Sequence, residues 1–408
     1  AVYDGLTWGE DISTIPYALL YTQCYEVLRI AFSNAKPDPD FDAFVEAQKD
    51  WLEDYALYMA LKFAHDGKPF TEWGRSLRRR KKEAMDQARE TYKEDIAFHK
   101  FIQYQFFRQW YQLKAYANEQ GISIIGDLPI YTAADSVEVW AHPELFELNV
   151  LNRPAEVAGC PPDCFSATGQ LWGNPVYHWE QHKKTGYAWW IHRLGYVSKL
   201  FDMVRIDHFR GFESYYSIPA KKETAEHGTW MPGPGLELFQ AAQQKLGDLN
   251  ILAEDLGNIT PQVRKLLAET GYPGMKVLQF AFDSDADNEF LPHNYTTSHC
   301  VVYTGTHDND TLLHWAETLN REPLRFARAY LDVESRQDVP AAVVRAAWSS
   351  IAELAIAQMQ DFLKAGGEGR MNLPSTLGGN WCYRTKAEQY TEKLQRRIRR
   401  LNRTYGRK

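Results

Sequence analysis

Apolar residues recur at steps of three and four through the first part of the chain, the period of an α-helix with one buried face. The pattern is helical from about Pro16 to Glu119. It is clearest over 101–121, where Phe106, Trp110, Leu113 and Ala117 repeat and Gly121 stands as a helix-ending residue. Trp51, Tyr55, Tyr58 and Met59 repeat the same spacing earlier. Little chemistry is carried here, and residues 1–118 read as a helical subdomain.

Beyond this point the pattern changes to short apolar runs, each ending in a polar or charged residue and followed by a helix-like stretch. The runs are Ser123–Asp127, Met203–Asp207, Ile251–Asp255, Met275–Phe280 and Cys300–Gly305, with a weaker sixth at Glu368–Asn372. Buried strands alternating with helices predict a parallel sheet. Polar residues collected at the carboxyl ends of successive strands predict an α/β fold of the TIM type, a (β/α)8 barrel whose site lies on that face. Six strands are two short of eight: either two hide in the helical region, or the first strands are absent from this chain. Residues 119–385 would form the barrel, with a Pro- and aromatic-rich loop insertion at 131–190, and 386–408 a C-terminal helix.

Composition narrows the function. Apolar residues make up 44% and charged ones 24%, the balance of a globular domain, and no apolar run approaches the length of a membrane span. The opening AVYDGLTWGEDIS has neither the basic start nor the apolar core of a signal peptide. Five scattered cysteines, Cys24, Cys160, Cys164, Cys300 and Cys382, point to a reducing, cytoplasmic setting. Cys160 and Cys164 lie close together, but no second Cys or His pair completes a zinc site, so no metal is expected. A net charge of −7 argues against nucleic acid as a partner, and the basic runs Arg78–Lys82 and Arg396–Arg400 read as solvated helix faces. Aromatic residues reach 14%, including 13 Trp and 23 Tyr. These suit both a core and the flat apolar face of a sugar ring, and composition alone does not separate the two.

The candidate chemistry is acidic. Asp127, Asp207, Glu254 and Asp308 each close a strand, and carboxylates converging on one face repel one another unless the site uses them. Cleavage of a glycosidic bond needs one carboxylate as nucleophile and one carboxylic acid as proton donor. Asp207 and Glu254 are 47 residues apart, enough for a strand, a helix and the next strand. Neighbouring strands lie roughly 4.8 Å apart, which favours the short carboxyl separation of the retaining route. Arg205, two residues before Asp207, shares its face and would keep it ionised. In Glu254-Asp255 and His307-Asp308-Asn309-Asp310, periodicity does not say which acid points inward. No GxSxG elbow and no phosphate-binding GxxxxGK[ST] loop is present.

Taken in order, Val204-Arg205-Ile206-Asp207-His208-Phe209-Arg210-Gly211, Leu252-Ala253-Glu254-Asp255-Leu256-Gly257 and Tyr303-Thr304-Gly305-Thr306-His307-Asp308-Asn309-Asp310-Thr311 resemble the three acid-bearing motifs of the 4-α-glucanotransferases of glycoside hydrolase family 77, the amylomaltases or disproportionating enzymes. The likeness continues through Gly126-Asp127-Leu128-Pro129-Ile130, Thr168-Gly169-Gln170-Leu171-Trp172-Gly173-Asn174-Pro175, Pro273–Phe280 and Arg370-Met371-Asn372, and covers roughly residues 120–385.

The resemblance implies Asp207 as nucleophile, Glu254 as general acid/base and Asp308 as the third carboxylate, and so prefers Glu254 and Asp308 within their ambiguous pairs. It implies Arg205 and His307 beside the reacting sugar, Asp127 binding it, Trp172 and Phe165 stacking on glucose rings, and Asn372 near the glucan path. Cys164 departs from the small or aromatic residue expected in the substrate-lining loop. The family also has a strand-rich segment ahead of its helices, so the resemblance implies that the first two barrel strands are absent from this chain.

The implied activity is a retaining transfer of α-1,4-glucan segments to a 4-hydroxyl acceptor, without a cofactor. Maltooligosaccharides and starch- or glycogen-derived glucans would be its partners, with neither nucleic acid nor membrane. The rivals are an α-glucan hydrolase using the same acids and a catalytically impaired glucan-binding barrel.

Overall fold

A computed structural model describes residues 2–6, 8–9, 11–162 and 166–407. The chain folds as two compact units, one formed by Tyr25–Tyr272 and the other by Ala1–Cys24 with Pro273–Lys408.

In the Tyr25–Tyr272 unit, the helices Pro39–Ala47, Lys49–Ala64, Lys82–Thr91 and Lys93–Glu119 pack as a layer. Asp38 starts the first of these: its carboxylate accepts from the Asp40 amide at 3.0 Å, with Pro39 in the first turn, where no amide donor is needed. Its second oxygen accepts from Tyr104 at 2.8 Å and ties that cap to the long helix. The long helix exists as expected, but its buried face is not the expected one. Phe98, Tyr104 and Phe107 are buried, whereas Phe106 and Leu113 are exposed. Aromatic residues stand on both faces here, as Phe106-Phe107 and Trp110-Tyr111, so the helical period does not select between them.

Five parallel strands fall where the apolar runs predict them. In the first unit β1 (Ile125–Leu128), β4 (Met203–Ile206) and β7 (Ile251–Ala253) form a parallel sheet in that order. The insertion contributes more than loops: β2 (Glu156–Cys160) and β3 (Gln170–Pro175) join β5 (Ser214–Pro219) and β6 (Thr229–Pro232) in an antiparallel sheet of order β3-β2-β5-β6. The core of this unit runs through Trp140, Trp190, Ile206, Phe209 and Phe212, all fully buried. A buried Phe of this kind contributes about 1.5–3 kcal/mol.

In the other unit β8 (Gly274–Val277), β9 (Cys300–Tyr303) and β10 (Leu354–Ile356) form a second parallel sheet, order β10-β9-β8. The sixth strand is therefore Leu354–Ile356 and not the run at Glu368–Asn372, where Gly367–Gly369 is a 3-10 turn. Three glycines at 366, 367 and 369 favour a turn there, and a three-residue strand carries too little periodicity to stand out. Among the described residues, then, the α/β architecture consists of two three-stranded parallel sheets and one antiparallel sheet, with no closed eight-stranded sheet. The helix Glu392–Thr404 packs Leu394, Ile398 and Leu401 on the core of Val302, Val343 and Trp348 and leaves Arg396, Arg397, Arg399 and Arg400 exposed.

Candidate active site

The register of the first parallel sheet places Asp127 opposite Arg205, and Arg205 opposite Leu252. The pairing continues past the strand ends. The Asp207 amide donates to the Leu128 carbonyl and the Glu254 amide to the Ile206 carbonyl, each at 3.0 Å. Side chains two residues apart share a face, so Asp207 and Glu254 emerge at the carboxyl edge on the side that carries Asp127 and Arg205. Gly126 makes the close packing behind this edge possible, because a Cβ there would meet the Phe201 ring at 2.0 Å.

Arg205 binds two acids at once. Its Nη1 donates to both Asp127 oxygens at 2.7 and 2.6 Å, and its Nη2 donates to Asp207 Oδ1 at 3.0 Å. The Arg205 side chain is 9% exposed, whereas Asp127 and Asp207 are 42% and 40% exposed. A buried cation thus holds two carboxylates that still reach solvent. Burial by itself would weaken the guanidinium's hold on its proton, but Asp127, Asp207 and Glu254 together raise it above its ordinary range.

Glu254 has the opposite environment. Its carboxyl is buried, and it accepts the backbone amides of His208 at 2.8 Å and Leu256 at 3.2 Å. Burial, then the negative field of Asp207, push its pKa up to about 8, and Arg205 and the His208 amide offset only part of this. Glu254 is the protonated member of the pair near neutral pH. Its raised pKa and buried setting set Glu254 apart from the half-exposed Asp207.

His208 follows Asp207 in a left-handed conformation, φ 53° and ψ 49°. Its ring meets Trp172 of β3 edge-on at 4.8 Å, and burial beside Arg210 pushes its pKa down to about 3, so it stays neutral. Trp172 is partly exposed, and its indole N–H donates to Gln170 at 3.1 Å. Phe165 and Cys164 lie outside the described residues.

The other expected residues lie in the unit of Ala1–Cys24 with Pro273–Lys408, His307 and Asp308 on the loop that leaves β9 and Asn372 just beyond the turn Gly367–Gly369. Asp308 Oδ1 accepts from Asn372 Nδ2 at 2.7 Å, and its Oδ2 lies 3.4 Å from His307 Nε2. Arg370 donates to the Asp308 carbonyl at 2.9 Å and the Asn372 carbonyl at 3.0 Å, and pairs with Asp310 at 3.6 Å. The structure thus brings His307, Asp308 and Asn372 together.

Several positioning residues carry no signal in the sequence. Buried Asp361 accepts from the Thr304 hydroxyl at 2.7 Å and the Leu312 amide at 2.8 Å, so one carboxylate ties both ends of the loop that carries His307 and Asp308. Gln279 donates to the Asp310 carbonyl at 2.7 Å inside the same loop. Gly305 leaves room for it, because a Cβ there would meet Gln279 Nε2 at 2.5 Å. In the first unit, Arg193 and Tyr177 bind the carbonyls of Pro129 and Ile130, just beyond Asp127. A lone Asp, Gln or Arg inside an ordinary helix or turn looks like any surface residue until its distant partner is known. Among the described residues no group of three His, Cys, Asp or Glu side chains could hold a metal ion, and no helix is long and apolar enough to cross a membrane.

Known proteins resemble this chain over most of its length. A family model described as 4-alpha-glucanotransferase, glycoside hydrolase family 77, matches residues 2–390. A 4-alpha-glucanotransferase of Clostridium butyricum is 45% identical, the match covering 99% of this chain and 84% of the relative. One from Thermus thermophilus is 49% identical, covering 91% and 76%. Among solved structures, an amylomaltase from Streptococcus agalactiae in complex with acarbose superposes with a TM-score of 0.96 at 40% identity, covering 99% of this chain and 83% of that one.

Proposed function

The chain belongs to the 4-alpha-glucanotransferase family of glycoside hydrolase family 77, and from that membership we propose how its residues carry the activity: a retaining transfer of α-1,4-glucan segments between maltooligosaccharides or longer glucans. The observation that carries the mechanism is the contrast between Asp207, held by buried Arg205, and Glu254, buried and raised to about 8.

Glu254 gives its proton to the glycosidic oxygen while Asp207 attacks the anomeric carbon. The C–O bond to the departing glucan breaks, and a glucosyl ester with Asp207 forms. Glu254, now ionised, takes the proton of an incoming 4-hydroxyl, whose oxygen displaces Asp207 and restores the α-linkage. Asp308, oriented by Asn372, takes the third-carboxylate role with His307 beside it; the hydrogen bonds of this group support that reading. Asp127 acts on the site mainly by fixing Arg205, and its half-exposed carboxylate keeps an edge for sugar hydroxyls. Trp172, partly exposed and braced by Tyr131 at 6.2 Å and His208, offers an apolar ring to a glucose unit.

The same reading makes the two parallel sheets parts of a TIM-type (β/α)8 barrel, supported by the acids gathered at strand carboxyl ends. The reaction draws on side chains alone and needs no cofactor. The odd number and scattered placement of the five cysteines support a cytoplasmic setting.

Incubation with maltotriose tests the proposal. Glucose together with maltopentaose and longer glucans is the expected product ladder. Glucose and maltose without longer products would mean a hydrolase, and untouched substrate with retained binding would mean a glucan-binding protein.

A further inference from the structure

Trp381 stands out in the unit that carries His307 and Asp308. It is a large apolar side chain left 43% exposed, on a backbone with φ 62°, a region that a bulky residue seldom adopts. The conformation is held from two sides. Its amide donates to the Met371 carbonyl at 2.6 Å, and its carbonyl accepts from the Tyr17 hydroxyl at 2.9 Å. The chain that follows is pinned as well, since the Ile15 amide donates to the Cys382 carbonyl and the Arg384 amide to the Ser13 carbonyl, both at 2.8 Å.

This anchoring sets the indole against His307, with ring centroids 5.1 Å apart and planes inclined by 37°. The loop between Asn372 and Trp381 therefore starts on Asp308, through the Asn372 side chain, and ends on the imidazole of the residue before it. An aromatic ring kept in a left-handed conformation, rigidly anchored and still open to solvent, is poorly explained as core packing. Strain of this kind concentrates where a side chain must be presented to a ligand.

We propose that Trp381 is a stacking platform for one glucosyl unit of the glucan, its indole packing on the apolar face of the pyranose ring beside His307 and Asp308. The proposal rests on the α-glucan reading of the same residues. A rigid indole suits this task because the ring offers a broad apolar surface with few torsions to freeze, and its N–H remains free to meet a hydroxyl.

The test uses the full chain with Trp381→Asn and Trp381→Phe. Asn tolerates a left-handed backbone, so removing the ring this way leaves the loop conformation accessible. Calorimetric binding of maltopentaose and the kinetics of maltotriose transfer are measured for each. Trp381→Asn is expected to weaken binding and raise KM by about ten-fold, with a smaller change in kcat and an unaltered melting temperature. Trp381→Phe is expected to recover most of the affinity. Unchanged affinity and KM in Trp381→Asn would overturn the platform, as would a fall in melting temperature and kcat with KM unmoved, which is the mark of a purely structural residue. Should the unmodified protein bind maltopentaose without transferring, the transferase reading fails, while the platform is still decided by the binding constants.

Discussion

The backbone amide of His208 donates to the Glu254 carboxyl at 2.8 Å. His208 follows Asp207 directly, so the proposed acid and the proposed nucleophile are linked through a single peptide unit. This bond fixes which way the Glu254 carboxyl faces, while burial and the charge of Asp207 decide that it holds its proton. Orientation and protonation are thus set by different neighbours, and the two can be perturbed separately.

Asp207→Asn should lower transfer by roughly a thousand-fold or more, since an amide cannot form the glucosyl ester. Binding of maltopentaose should persist, because Arg205 keeps its bidentate partner Asp127. Product formation and calorimetric binding, measured together, check this; unchanged product formation would remove Asp207 from the nucleophile's place.

Glu254 sets an alkaline limit. In the proposed mechanism its proton is needed for the first step and is lost as the pH rises through about 8, so transfer should fall above that value. Stability follows with a definite sign. The folded pKa lies above the ordinary 4.5, so the fold is favoured when Glu254 is protonated and loses stability as the pH rises from about 4.5 to about 8. The loss is of the order of a few kcal/mol. Glu254→Gln should remove this slope, giving a higher melting temperature than the unmodified protein at pH 9 and little transfer at any pH. Thermal unfolding across pH reads it directly.

Asp361 is a positioning residue whose removal should be felt at His307 and Asp308. Asp361→Ala leaves the Thr304 hydroxyl and the Leu312 amide without their buried acceptor, at a cost of about 2–3 kcal/mol. Asp361→Asn keeps one acceptor oxygen and should lose less. Because the loop is loosened and not removed, kcat should fall in both variants in the same order as stability. Denaturant unfolding combined with steady-state kinetics measures both quantities.

Asn372 orients the Asp308 carboxylate through one hydrogen bond of 2.7 Å. Asn372→Ala should lower kcat by about ten-fold or more with stability nearly unchanged, since both groups are at least partly exposed. Asn372→Asp should be worse than Ala, because it sets two carboxylates against each other where one donor stood. A ranking with Asp above Ala would contradict this placement.

Much of this protein can be read from local pattern. The apolar runs ending in Asp127, Asp207 and Glu254 declare strands, because a buried strand needs a continuous apolar stretch and its exit needs a polar residue. Arg205 and Asp207 share a face by the two-residue period of the strand alone, and the structure shows them bonded at 3.0 Å. The helices were legible for the same reason: their period is a property of backbone geometry over a few residues.

What the sequence by itself determined is therefore the helical first part, the five parallel strands that the longer apolar runs mark, and the acids gathered at their exits. Tertiary structure decided the rest. It chose Phe107 over Phe106 as the buried ring of the long helix, and Leu354–Ile356 over the glycine-rich run at 368–372 as the sixth strand. It raised Glu254 by burying it, and joined Asp361 to Thr304 across 57 residues of chain. Burial, protonation and long-range hydrogen bonding depend on which distant segments meet, and no local period carries that information.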